Sequence, residues 1–281
     1  MHWTKITVDR TLRVITQSKG EAAMTQNRSR QTVVITGSGS GIGYAVAEQF
    51  VARGANVLLN GRSEAKLAEA VERLAAPDRV AALASDMTQP GNAGGIVDTA
   101  LRRFGRLDVL VNNAGIFWTK PFTDYSVEEL DGFLGYLRGT YVLTQETVRA
   151  MRRQSEGGAI VNISTILAFN GVAGLPSSAP MTAKGGITAL TKNLAIELAA
   201  DNIRINAVAP GVVPTPLYGN LSDEQLGALH DLQPLGRYGT PRDIADAVLY
   251  LANATWVTGV ILPVDGGVDA GGDGANRRRH G

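Results

Sequence analysis

Seven short runs of nearly uninterrupted apolar residues recur along the chain, each separated from the next by a longer amphipathic stretch. This alternation is the pattern of βα units stacked into a parallel sheet, because a strand covered by helices on both faces has no polar side to show. The spacing predicts strands at Thr32–Thr36, Asn56–Asn60, Val80–Ala84, Asp108–Val111, Ala159–Ile163, Arg204–Val208 and Val260–Pro263. It predicts helices over Ile42–Arg53, Glu64–Leu74, Ala93–Phe104, Val127–Arg153, Pro180–Ala200 and Pro241–Leu251. Each strand reads as a buried central one. The whole reads as an α/β fold, a single domain over residues 31–268 with a doubly wound, seven-stranded parallel sheet whose ligand crevice lies beyond the carboxyl ends of the strands. Residues 1–30 are polar, mildly basic and without a period; they read as a flexible arm or as the result of a start codon upstream of Met24. Residues 269–281, rich in glycine and arginine, read as a tail.

Composition narrows the chemistry. A chain of 281 residues, 44% of them hydrophobic, has material for one large core. A net charge of +1 gives no broad field toward nucleic acid or anionic membrane, and the three consecutive arginines Arg277 to Arg279 are too few and too isolated to argue such a site. The absence of cysteine removes disulfides, thiolate metal sites and thiol nucleophiles together. The only histidines are His2, His230 and His280, too few for a histidine-rich metal centre or a Ser/His/Asp triad. No apolar stretch approaches the roughly 20 residues of a membrane span, and no signal-peptide segment opens the chain. The expectation is a cytoplasmic protein that acts on a small molecule, with no nucleic-acid, membrane or metal partner.

After the first predicted strand comes Thr36-Gly37-Ser38-Gly39-Ser40-Gly41-Ile42-Gly43, leading into a helix. Glycines there let the backbone turn tightly and approach a pyrophosphate at the helix N-terminus, where free N–H groups and the positive dipole end meet it. The spacing resembles the short-chain dehydrogenase/reductase family, and further stretches agree with it from Thr32 to Gly267. Asp86-Met87 follows the third strand, where the family sets an Asp on the adenine ring. Asn112-Asn113-Ala114-Gly115 closes the fourth, and Pro210-Gly211 with Thr215 follows the sixth, at the segment that holds the carboxamide. Pro241 to Ala245, Trp256 to Gly259 and Val264 to Gly267 match the C-terminal signature. The resemblance thus implies a Rossmann-like nicotinamide dinucleotide site made by Gly37, Ser40, Gly41, Ile42, Gly43, Arg62, Asp86, Met87, Asn113, Ala114, Gly115, Lys184, Pro210, Gly211 and Thr215. Gly61 stands where an NAD-preferring relative has a carboxylate for the ribose hydroxyls, and Arg62 suits a 2′-phosphate, so NADP(H) is favoured over NAD(H). Against this, Ser40 lacks the basic residue of many NADP-dependent relatives, and Arg62 also reads as an ordinary solvated turn residue.

The catalytic pattern departs from the family. Its Tyr-x-x-x-Lys pair, with an upstream Ser and an Asn on the preceding helix, handles the proton that accompanies hydride transfer. Here Lys184 takes the lysine position, but Pro180 stands four residues earlier, and no tyrosine occurs between Tyr141 and Tyr218. Thr165 falls at the serine position, Tyr136 at the asparagine position, and the Thr165–Pro180 segment is slightly longer than in relatives. Proline is tolerable at a first helical position but has no proton to give. Tyr136 is the first candidate for a replacement acid near Lys184, or else a plug filling the vacated space. Thr165 suits orientation of a substrate carbonyl, and Lys184 suits either ribose binding or proton transfer. A wall of Phe117, Trp118, Tyr136, Phe169, Leu175, Pro176, Leu217 and Tyr218 would suit an apolar, polyketide-like ligand, or would simply be core and lid packing. The expected function is an NADP(H)-dependent oxidoreductase on a carbonyl or enone with a replaced proton donor. The alternatives are a redox-neutral cyclase, dehydratase or isomerase, or a non-catalytic cofactor-binding partner. The resemblance also implies a homodimer or homotetramer paired through the two long helices.

Overall fold

A computed structural model describes residues 31–89, 91–172, 174–215 and 233–270. The strands are β1 (Thr32–Thr36), β2 (Asn56–Gly61), β3 (Val80–Ala84), β4 (Val109–Asn112), β5 (Gly158–Ile163), β6 (Ile203–Pro210) and β7 (Ile261–Val264). The helices that position the site are α1 (Gly41–Ala52), α2 (Glu64–Leu74), α3 (Asn92–Phe104), α4 (Val127–Gln154), α5 (Ser178–Glu197) and α6 (Pro241–Asn253). The strands form one parallel sheet in the order β3-β2-β1-β4-β5-β6-β7. The order reverses between β1 and β4, which opens a crevice beyond their carboxyl ends.

The period of two along each strand divides the core. Val33 and Ile35 of β1 and Val57 and Leu59 of β2 pack with α1, α2 and α6, whereas Val34 and Leu58 pack with α3, α4 and α5. Full burial of such a side chain is worth about 1.5–3 kcal/mol, so a sheet covered on both sides selects continuous apolar runs. The outer strands depart from the expectation that every run is central. β3 pairs only with β2 and leaves Ala82 and Ala84 exposed; β7 pairs only with β6 and exposes Pro263, a residue that edge strands accommodate.

Local chemistry sets the helix starts. Ser126 and Glu129 form a reciprocal capping box on α4, as do Thr240 and Asp243 on α6, where Pro241 takes the first helical position. The start of α5 differs from expectation: it begins at Ser178, so Pro180 is its third residue rather than its first. The first intrahelical bond runs from the Met181 N–H to the Ser177 carbonyl at 3.0 Å. Pro180 therefore lies among first-turn positions whose N–H groups have no partner within the helix, and α5 forms despite it.

A buried polar chain fixes α4 and α5 against the sheet. The Asn112 amide donates to Asn162 Oδ1 at 2.9 Å and Thr144 Oγ1 at 3.2 Å, and the Asn162 amide donates to Thr191 Oγ1 at 2.9 Å. Such bonds are each worth about 0.5–1.5 kcal/mol net, and orphaning a buried partner costs more. No helix among the described residues is long and apolar enough to cross a membrane.

Candidate functional site

The crevice at the β1/β4 switch point is a cleft of ≈ 440 Å³. One end is shaped by close backbone approach. Gly37 has φ +63°, and a Cβ on it would sit 2.9 Å from Ala114 Cα; on Gly43 it would meet the Gly37 carbonyl and lie 2.6 Å from Asn113 Nδ2. Thr36 Oγ1 accepts the N–H groups of Asn113 and Ala114, each at 3.0 Å, and the Asn113 amide donates back to the Thr36 and Gly37 carbonyls at 2.9 and 3.1 Å. Ser38 is buried; its N–H donates to the Asn60 carbonyl at 3.1 Å, and its Oγ accepts the Asn60 N–H at 3.0 Å. Glycine loop, β2 end and β4 end are thus one unit. Ser40 caps α1 in extended backbone without a side-chain bond, and α1 has no acidic residue in its first turn. Its N–H groups and positive dipole end remain available for an anion.

Around this end, Gly41, Ile42, Arg62 and Ser40 line the cleft together with Lys66, which sequence reasoning missed. Its signal is its place in the first turn of α2, just after the loop that carries Arg62. Both side chains are exposed. Asp86 is held by the Thr88 N–H at 2.9 Å and the Thr88 hydroxyl at 2.8 Å, and the buried Met87 presses its carbonyl against Gly139 of α4.

At the other end, the Lys184 ammonium donates to the Ile163 carbonyl at 2.6 Å and faces Gly115, where a Cβ would lie 3.6 Å away. Burial lowers its pKa to about 8, since the charged form loses water and gains no carboxylate. Ser164 also lines the cleft but is nearly buried, with its Oγ 3.1 Å from Thr188 Oγ1. Thr165 faces the cleft; its hydroxyl donates to the Pro210 carbonyl at 3.4 Å, a long bond that a substrate group can replace. Pro180, Pro210 and Gly211 complete this end, Asn113, Ala114 and Gly115 lie between the two, and Thr215 stands against Gly41 of the cradle. Met181, also missed, lies beside Pro180 in the wall.

Tyr136, like Gly43, Asp86 and Met87, does not line the described cleft, and the charges acting on its phenol are those of Arg62 and Asp86. Burial raises its pKa, since the phenolate loses water. The expected aromatic wall is also thinner. Phe117 and Leu175 line a small apolar pocket of ≈ 30 Å³ that shares Phe117, Thr165, Leu167 and Gly211 with the cleft. Phe169 is 40% exposed, Pro176 is exposed, and Trp118 stacks on Phe133 with ring centroids 4.3 Å apart; none of them lines the cleft or this pocket. Leu217, Tyr218 and His230 lie outside the described residues, as do most of the two terminal segments.

A glycine cradle at one end and a desolvated lysine at the other fit a bound dinucleotide. The family model described as Enoyl-(Acyl carrier protein) reductase matches residues 37–269. The chain is 36% identical over 245 residues to the 3alpha-hydroxysteroid dehydrogenase of Mediterraneibacter gnavus, covering 84% of this chain and 96% of that protein. It belongs to the short-chain dehydrogenase/reductase family. It is also 35% identical over 239 residues to the 3-oxoacyl-[acyl-carrier-protein] reductase of Thermotoga maritima, with the same coverages. Among solved structures, the 3-ketoacyl-(acyl-carrier-protein) reductase of Brucella melitensis complexed with NADH superposes with a TM-score of 0.79 at 32% identity, covering 85% of this chain and 98% of that one. These relatives are oxidoreductases by name, and one of them holds a nicotinamide cofactor.

Proposed function

We propose that the protein is an NADP(H)-dependent oxidoreductase interconverting the carbonyl and alcohol, or reducing the enone, of a mostly apolar substrate. The observation that carries this reading is the continuity of the cleft from the glycine cradle to Lys184, which suits a dinucleotide lying along it. When bound, the reduced nicotinamide supplies a hydride. Gly37, Gly41, Ile42 and the α1 N-terminus hold the pyrophosphate, Asp86 and Met87 the adenine, and Asn113 to Gly115 the riboses with Lys184. Pro210, Gly211 and Thr215 hold the carboxamide. Arg62 and Lys66 favour NADP(H), since a 2′-phosphate pairs with two cations where no carboxylate repels it. Thr165 orients the substrate oxygen of a mostly apolar, polyketide-like ketone; the apolar pocket beside it, ≈ 30 Å³, adds apolar lining to that end but is too small to hold the substrate. Position 180, where the family's tyrosine would stand, holds proline, so the proton has another source.

The test is reduction of a panel of cyclic ketones and β-keto thioesters with 4-deuterated NADPH. Deuterium at the carbinol or β-carbon supports the reading; tight NADPH binding with no transfer across the panel removes it. A redox-neutral isomerase or dehydratase keeping the cofactor as a floor is the second reading, favoured by Pro180 at the acid position and by the longer Thr165–Pro180 segment. A product of unchanged oxidation state formed without NADPH consumption would establish it. We also propose a homodimer or homotetramer paired through α4 and α5, whose outer faces expose Tyr141 and Ile196; a monomeric mass in solution would overturn this.

A further inference from the structure

We propose that Lys184, besides holding the cofactor ribose, is itself the acid that protonates the substrate oxygen. This rests on the oxidoreductase reading above. Three observations carry it. Lys184 lines the cleft at the end shared with Thr165, and its ammonium spends one N–H on the Ile163 carbonyl, leaving two to spare. Among the described residues lining the cleft, the remaining titratable side chains are Arg62 and Lys66, at the opposite end. Pro180, one helical turn before Lys184, has no proton to give and no bulk reaching over the ammonium as a phenol would.

The charges around Lys184 are few. The end of β5 presents Ile163, Ser164 and Thr165, the β4 loop presents Asn113 to Phe117, and the segment after β6 presents Pro210 to Thr215, none of them titratable. On α4 the phenol of Tyr136 feels the charges of Arg62 and Asp86. Without a carboxylate to hold its proton, the buried ammonium has a pKa of about 8 and is a competent acid near neutrality. As the carbonyl carbon receives the hydride, an N–H bond of Lys184 breaks and an O–H bond forms on the substrate oxygen. The nitrogen keeps the electron pair, and solvent water returns a proton to the neutral amine.

Two measurements test this. Labelling of Lys184 by an acetylating reagent, read by mass spectrometry against pH in the full chain, is expected to reach its midpoint near 8. A midpoint in the ordinary lysine range, about 10.4, overturns the proposal. The second compares the wild type with Lys184→Arg, which keeps the cation but does not release a proton below pH 12 or so. With NADPH and whichever ketone of the panel accepts deuterium, reduction by the wild type is expected to be level below pH 8 and to fall above it. Lys184→Arg is expected to hold NADPH, measured by fluorescence titration, yet reduce the ketone about 10²-fold more slowly or worse. Deuterium transfer by the wild type with an undiminished Lys184→Arg rate sinks this inference alone. No deuterium transfer by the wild type sinks the oxidoreductase reading, and this inference falls with it.

Discussion

At the glycine-cradle end of the cleft the shape is set by main chain, whereas at the Lys184 end it hangs on single side chains. Gly37, Gly43, Thr36 and Asn113 interlock so closely that one added methyl group strikes a backbone atom. At the other end Pro180, Thr165 and Lys184 each project separately from α5 or the end of β5. The difference teaches which parts of such a site can change. A backbone cradle is inseparable from the fold, so it stays while the fold stays. A side chain in the first turn of a helix can be proline at little cost, because that turn's N–H groups lack partners in any case.

Four substitutions break or sharpen this contrast. Pro180→Tyr returns a phenol to the first turn of α5; if the rest of the nicotinamide end is aligned, ketone reduction rises about 10²-fold, measured as steady-state NADPH oxidation. An unchanged rate would mean that the departure at this end goes beyond one side chain. Arg62→Ala acts at the other end, where it is expected to weaken NADPH about 10- to 100-fold, about 1.5–3 kcal/mol, and to leave NADH unchanged, by calorimetry. Equal losses for both cofactors would place Arg62 away from the 2′-phosphate. Gly43→Ala overpacks the cradle and is expected to lower stability by about 1–3 kcal/mol while loosening both cofactors, read by denaturant titration with and without NADPH. A variant as stable as the wild type would contradict the interlocked cradle. Thr240→Ala, at the α6 capping box and not itself in the cleft lining, is expected to cost about 1 kcal/mol of stability and leave cofactor affinity untouched.

Much of the architecture was legible because each strand's apolar run is dictated by burial on two faces; β1, β3 and α2 begin and end where the sequence predicts. What the runs do not carry is neighbourhood. Val80 to Ala84 reads as central because alanine is apolar, yet alanine is small enough to sit exposed on an edge, and β3 does so. The start of α5 lies two residues before the predicted one: Ser177 is the N-cap but makes no side-chain cap bond, and proline's preference for the first helical position points past it. At the site, the glycine spacing locates the cradle because a turn with positive φ and close approach admits little else. Tyr136 shows the limit: the spacing fixes its place on α4 but not which charges its phenol feels, and these are Arg62 and Asp86. Lys66 was overlooked for the converse reason, being an exposed lysine whose significance comes only from the loop it faces.

The claim on which the rest depends is that this cleft grips a nicotinamide dinucleotide. Isothermal calorimetry of the full chain with NADPH and with NADH tests it directly. Saturable binding of both, tighter for NADPH, is the predicted result; no heat of association with either would contradict the account.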